Sequence, residues 1–225
     1  DWGHDLSAMN NAIQENTKLI FIANPNNPTG TFLPRDEIIS FLDKVSKDVI
    51  VLLDQAYFDY AAYENNDIDF EFINEFPNLI ISRSFSKAYG LAGFRVGYSV
   101  SSRAISDYLN RVRQPFNANS LALVAAEAAL SDKDHMMRSL KMNSEQKKVL
   151  YKGLEDLGYQ YIPSAGNFIC FDCNQDSEDK FNELLKEGVI VRSMGVYNMP
   201  NHLRVTIGLP GENSVFLEKL TKLKG

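Results

Sequence analysis

Short apolar runs alternate with helix-patterned stretches through the first hundred residues. Residues 18–23 form a nearly continuous apolar run, the pattern of a strand buried on both faces. Pro34 opens a stretch in which Ile38, Phe41, Leu42 and Val45 recur at i, i+3, i+4 and i+7, which predicts an amphipathic helix. Residues 49–53 predict the next strand, 79–81 a third and 94–100 a fourth. Apolar strands separated by helical or loop segments predict an α/β fold, a mostly parallel sheet flanked by helices.

The second half has a different rhythm. Residues 121–130 and 136–157 read as helices, with Leu150, Leu154 and Leu157 on one stripe and Gly158 placed as a C-cap. Residues 168–171 predict a strand, and Phe181, Leu184 and Leu185 mark a helix stopped by Gly188. Strands follow at 189–191 and 203–207, then a last helix lined by Phe216, Leu220 and Leu223. A helix-rich joint near 120–145 followed by a compact α+β unit predicts two domains. The larger spans 1–130 and includes the start of the interdomain helix; the smaller, C-terminal one spans 131–225.

Composition narrows the classes. Lys and Arg number 23 against 29 Asp and Glu, a net charge of −6, the wrong sign for a dedicated nucleic-acid binder. Two cysteines cannot build a disulfide scaffold, which points to a reducing, cytoplasmic setting. The most apolar stretch, 121–130, is too short to span a bilayer and carries Glu127, so no membrane role is expected. The chain opens at Asp1 without an initiator methionine, and no signal-peptide pattern precedes the first strand, which is what a cut-away upstream segment would leave.

Candidate chemistry gathers after the first three predicted strands. The first is followed by Asn24-Pro25-Asn26-Asn27-Pro28-Thr29-Gly30, the second by Asp54-Gln55-Ala56-Tyr57, the third by Ser82-Arg83-Ser84-Phe85-Ser86-Lys87. In open parallel sheets ligands bind outside the carboxyl ends of the strands, so three polar clusters converge on one crevice. Taken alone, the first cluster reads more readily as a turn, because Asn, Pro and Gly mark turns everywhere. The third is less ordinary, because Lys87 is followed by Gly90, Gly93, Arg95 and Gly97. Two hydroxyls, a guanidinium and several glycines can gather around a phosphate. Lys87 beside that phosphate can form a Schiff base with an aldehyde cofactor, and Asp54 can hold a pyridine nitrogen protonated. Pyridoxal phosphate needs that pairing from its protein.

The run from Ser82 to Tyr98, Ser-Arg-Ser-Phe-Ser-Lys-Ala-Tyr-Gly-Leu-Ala-Gly-Phe-Arg-Val-Gly-Tyr, resembles the fold-type I pyridoxal-phosphate-dependent aminotransferases. Within that class it is most similar to the histidinol-phosphate aminotransferases, as are 24–30 and Val112-Arg-Gln-Pro-Phe-Asn-Ala-Asn-Ser120. The similarity runs from Asp5 to the C-terminus with the motifs in family order. It implies that Lys87 is the Schiff-base lysine, Asp54 the partner of the pyridine nitrogen, and Tyr57 and Asn27 the pair on the ring's phenolic oxygen. It further implies Ser84, Ser86 and Arg95 as phosphate ligands, Arg204 as the residue holding the substrate's acidic group, and Arg192 as a second substrate arginine. The implied reaction is transamination of L-histidinol phosphate with 2-oxoglutarate, giving imidazole acetol phosphate and L-glutamate in histidine biosynthesis, in a cytoplasmic homodimer. Complete members begin well before the residue matching Asp1. Their N-terminal arm, a phosphate-binding turn and a ring-stacking aromatic are not found here, as expected of part of a protein or of a truncated relative.

Other features carry less. Cys170 and Cys173 have a zinc-like spacing, but i and i+3 point to opposite faces of a strand and no second pair completes a tetrahedral set. His4, His135 and His202 match no motif, residues 93–97 lack a dinucleotide fingerprint's third glycine, and the acidic run 64–71 reads as a solvated loop. The rival functions are an aromatic or other amino-acid aminotransferase, a phospho-amino-acid decarboxylase, and a non-catalytic, aminotransferase-like regulatory domain.

Overall fold

The computed structural model describes residues 2–65 and 72–224. Strands β1 (Leu19–Ala23), β2 (Ile50–Asp54) and β3 (Leu79–Ser84) run parallel, and β4 (Gly97–Ser101) pairs antiparallel with β3, in the order β1-β2-β3-β4. The sheet is mostly parallel, as its apolar runs predict. Its fourth strand starts later than the pattern suggests, because residues 92–94 close a 3-10 turn and Arg95 then adopts a left-handed φ of 53°.

Alternation along these strands decides what the sheet buries. Ile20, Ile22, Val51, Leu53, Leu79 and Ile81 face Ile38, Phe41 and Leu42 of α2 (Arg35–Leu42), with Leu6 and Met9 of α1 (Leu6–Asn11) at the margin. Each such buried aliphatic contributes about 1.5–3 kcal/mol of transfer free energy. The expectation that β1 is covered on both faces fails on the other side, where Leu19 is 45% and Phe21 62% exposed. Both helices that pack on β1 lie on one face, and period-2 alternation turns Leu19 and Phe21 away from them.

Helices α3 (Phe58–Asn65) and α4 (Phe72–Glu75) follow β2. Of the acidic run 64–71, residues 66–71 lie outside the described part, and Glu64 is helical rather than part of a loop. Beyond β4 come α5 (Arg103–Val112) and α6 (Ser120–Ser131), the latter capped by the Asn119 side chain, which accepts from the Ala122 N–H. The longest helix, α7 (Lys133–Asp156), leads to the second sheet. No helix among the described residues is long and apolar enough to cross a membrane.

The second sheet is antiparallel, ordered β5-β6-β8-β7, from β5 (Tyr161–Ile162), β6 (Phe168–Asp172), β7 (Arg192–Ser193) and β8 (His202–Thr206). Ile169, Phe171, Leu203 and Val205 form its helix-covered face. They pack on Leu150 and Leu154 of α7, Leu184 of α8 (Ser177–Lys186), and Phe216 and Leu220 of α9 (Pro210–Lys222). Phe168, Cys170 and Arg204 alternate onto the other face.

The strand predicted at 189–191 is displaced to Arg192–Ser193. Gly188, at φ +80°, closes α8 by donating to the Leu185 carbonyl, and Val189 donates to that of Leu184. This Schellman-like ending occupies the backbone that would otherwise pair. Cys170 packs with Met194 and Met199, whereas Cys173 belongs to the core on the other side. Burial pushes the Cys170 thiol up to about 12.

Candidate active site

The polar clusters meet because β1, β2 and β3 run parallel and end together. Register pairs Ala23 with Asp54 and Asp54 with Ser82, so Asn27, Asp54 and Lys87 follow the carboxyl ends of three adjacent strands. Asp54 is exposed, and its Oδ1 accepts from the Ala56 N–H at 3.0 Å and the Ser82 hydroxyl at 3.2 Å. Both bonds fall on one oxygen.

Tyr57 is buried beneath this rim, and its hydroxyl accepts from Asn27 Nδ2 at 3.3 Å. Half-buried Lys87 places Nζ 4.9 Å from the Tyr57 ring centroid, a cation–π distance. Lys87, Tyr57 and Asn27 are therefore neighbours in space although they come from three loops. The Ser84 hydroxyl accepts from the Ser86 N–H at 3.0 Å, and the β3–β4 ladder continues through the Phe85 N–H to the Val96 carbonyl. That continuation brings Ser86 and Arg95 to the same end of the hairpin. Arg95 is exposed, and its guanidinium donates to the Ala92 carbonyl at 3.0 Å. A non-glycine residue held at positive φ is the kind of backbone strain that marks functional positions.

The second sheet delivers the arginines. Arg204 donates from a terminal nitrogen to Asn27 Oδ1, and its guanidinium lies 5.0 Å from the Phe168 ring centroid. Its Nε is buried and has no hydrogen-bond partner among the described residues. Arg192 is exposed and stands opposite Arg204 in the β7–β8 register. Two residues absent from the sequence-derived set complete the arrangement. Phe168 touches Tyr57 edge-on at 5.2 Å and carries Arg204, and Ser82 orients Asp54. Ser82 lies within the strand-end cluster, a signal available in sequence; Phe168 reads only as one apolar residue in a strand.

An amine, a carboxylate, a phenol–amide pair, two hydroxyls and a guanidinium at one strand-end crevice match the groups of pyridoxal phosphate: aldehyde, pyridine nitrogen, phenolic oxygen and phosphate. On the chemistry of this donor set, the residues fit that cofactor.

The chain is 51% identical over its full length to histidinol-phosphate aminotransferase 1 of Idiomarina loihiensis, of which it covers 61%. It is 53% identical over 99% of its length to histidinol-phosphate aminotransferase 2 of Pseudomonas fluorescens, covering 60% of that protein. The chain thus spans about three fifths of the length of these relatives. Its fold matches the crystal structure of histidinol-phosphate aminotransferase from Sinorhizobium meliloti in complex with pyridoxal-5'-phosphate. The TM-score is 0.89 at 28% identity, over 98% of this chain and 62% of that one. Residues 1–220 match the family described as aminotransferase class I and II, and the chain belongs to that family.

Proposed function

We propose that this chain supplies the pyridoxal-phosphate and substrate-binding residues of a histidinol-phosphate aminotransferase. The enzyme would exchange an amino group between L-histidinol phosphate and 2-oxoglutarate, giving imidazole acetol phosphate and L-glutamate. The observation that carries this reading is the contact between Arg204, from the second sheet, and Asn27, from the loop after β1 of the first, beside Tyr57 and Lys87. It joins a group suited to gripping an anionic substrate to the groups suited to holding the cofactor.

Pyridoxal phosphate, when bound, supplies the electron sink that stabilises negative charge at the carbon losing a proton. Lys87 would hold it through its amine, Asp54 at the pyridine nitrogen, Tyr57 and Asn27 at the phenolic oxygen, and Ser84, Ser86 and Arg95 at the phosphate. Lys87 Nζ would serve as the base that takes the proton from the amino-bearing carbon of the donor and, in the return half-reaction, as the acid that delivers a proton to the former keto carbon of 2-oxoglutarate. Asp54 keeps a fixed negative charge where the reaction needs a cation opposite it, and the Ser82 and Ala56 hydrogen bonds hold that charge in place. Arg204 and Arg192 bind the substrate's phosphate through charge-assisted hydrogen bonds, and Arg204 binds a carboxylate of 2-oxoglutarate in the return half-reaction.

The separate sheets, β1–β4 within residues 1–130 and β5–β8 within 131–225, support a cofactor-binding domain followed by a smaller one. The whole protein is proposed to act as a cytoplasmic homodimer. A coupled transamination assay on the intact protein, comparing histidinol phosphate with phenylalanine and phosphoserine, tests the substrate. Preference for histidinol phosphate is expected, and an equal or greater rate with phenylalanine or phosphoserine would reassign it.

A further inference from the structure

Helix α7 buries a face made of Leu140, Asn143, Lys147, Leu150 and Leu154. Its middle is polar, and Lys147 is only 4% exposed. A buried ammonium is costly unless its donors are satisfied, so the partners it keeps indicate what it holds. Lys147 Nζ donates to Glu64 Oε2 on α3 at 2.8 Å and to the Ser164 carbonyl at 2.8 Å.

Two neighbours on the same face grip the same segment. Asn143 donates to the Gly166 carbonyl at 3.3 Å, and the Tyr151 hydroxyl accepts from the Ser164 N–H at 2.7 Å. Residues at i, i+4 and i+8 of one helix thus hold the backbone of residues 164–166.

That segment is pressed onto the Asn27 loop. The Ala165 N–H donates to the Gly30 carbonyl at 2.8 Å, and the Gly30 N–H donates to the Asn26 carbonyl at 2.8 Å. Gly30 has φ +82°, and a Cβ there would lie 2.3 Å from the Ser164 hydroxyl oxygen, so the fit allows no side chain. Two residues beyond Gly166, Phe168 meets both Tyr57 and Arg204. One short stretch therefore touches the loop that carries Asn27, the ring beside Lys87, and the guanidinium that reaches Asn27.

We infer that Lys147 is a positioning residue for the Asn27–Arg204 pair. By tying α3 to residues 164–166, it fixes where the second sheet presents Arg204 against the first. Its ammonium touches no cofactor-binding side chain, so its influence on the substrate arginine passes through Ser164, Ala165 and Gly30. The effect on substrate rests on the aminotransferase reading; the effect on the segment does not.

The test is Lys147→Met in the intact protein, with Glu64→Gln as a milder second variant that leaves the buried amine in place. Hydrogen exchange at the Ala165 and Gly30 amides should quicken by about tenfold in Lys147→Met, while amides in β2 and the middle of α7 stay protected. The Michaelis constant for the amino donor should rise by about tenfold with turnover within about twofold, and pyridoxal phosphate affinity should fall by no more than about threefold, because Asn27 is one of several groups proposed to hold it. Glu64→Gln should move the same readouts the same way by less, and Lys147→Arg should restore part of the loss. Unchanged exchange at Ala165 would overturn the inference. A uniform rise across β2, α7 and Ala165 would overturn it too, because that is what a purely structural residue does. Should the wild-type protein transaminate none of the tested donors, the functional reading fails and exchange at Ala165 still decides the positioning role.

Discussion

Arg192 and Arg204 stand directly opposite each other across the β7–β8 pair, two guanidinium groups on one face of an antiparallel ladder. Like charges in that position repel and destabilise the pairing of strands. Arg204 offsets part of this through its bond to Asn27 and its place over Phe168, but Arg192 projects into solvent. An anion held between the two would relieve the repulsion, and a phosphate monoester would do so better than a carboxylate because it carries more charge.

Substitution of Arg192 separates the substrates on that basis. Histidinol phosphate has no carboxylate, so its phosphate is the group both arginines meet. Arg192→Ala should raise the Michaelis constant for histidinol phosphate about tenfold or more, and that for glutamate about twofold or less. Steady-state kinetics on the intact protein measure both constants. Equal effects on the two substrates, or none, would keep the general aminotransferase assignment and remove the phosphate specificity.

Lys87→Ala should abolish transamination while leaving the fold intact. The side chain lies half-buried over the Tyr57 ring and belongs to neither sheet's core, so its loss opens no large apolar cavity. Borohydride reduction of the cofactor-loaded protein followed by peptide mapping locates the covalent bond. Reduced cofactor on Lys18 or Lys44 instead of Lys87 would sink the site assignment.

Asp54→Asn preserves the shape of the site and removes its charge. An amide in the same pose can still accept from Ser82 and Ala56, so pyridoxal phosphate should remain bound. It cannot balance a positive charge opposite it, and the single-turnover rate should fall by about two to three orders of magnitude, the scale of losing one preorganised electrostatic contact. A wild-type single-turnover rate in that variant would take the role from Asp54.

Much of this arrangement is legible in sequence for a physical reason. Parallel strands end on one edge, so residues that follow apolar runs, such as Asn27, Asp54 and Lys87, are brought together by topology alone. Long-range contacts are not encoded that way. Lys147 sits in α7 among charged neighbours, and nothing in its local pattern distinguishes it from an exposed lysine until Ser164 and Glu64 arrive from distant parts of the chain. Phe168 likewise reads as core, and only its long-range contacts set it between Tyr57 and Arg204. The displaced strand at β7 fails for a more local reason: β-branched composition at 189–191 competes with the helix ending at Gly188, and the hydrogen bonds of that ending prevail.

Alkaline stability follows from the tyrosines. Tyr60 is 5% exposed, and burial, outweighing a favourable hydrogen bond with Ser139, pushes its phenol above the ordinary tyrosine range, up to about 12. Tyr89, Tyr98, Tyr151 and Tyr159 are shifted in the same direction, each chiefly by burial. A raised folded value means that the native state keeps a proton the unfolded chain has already lost. The stability this contributes is complete below about pH 10 and is lost as pH rises toward about 12, where the unfolded state binds fewer protons. The tyrosinate absorbance of the buried phenols should therefore appear together with loss of the far-ultraviolet dichroism of the helices, as one cooperative event. Tyr60→Phe removes one ionisation from that process and should move the alkaline midpoint upward, although the lost Ser139 contact lowers stability at neutral pH. Complete ionisation of all tyrosines near pH 10 with the dichroism unchanged would show that these phenols are open to solvent and that burial does not govern their titration.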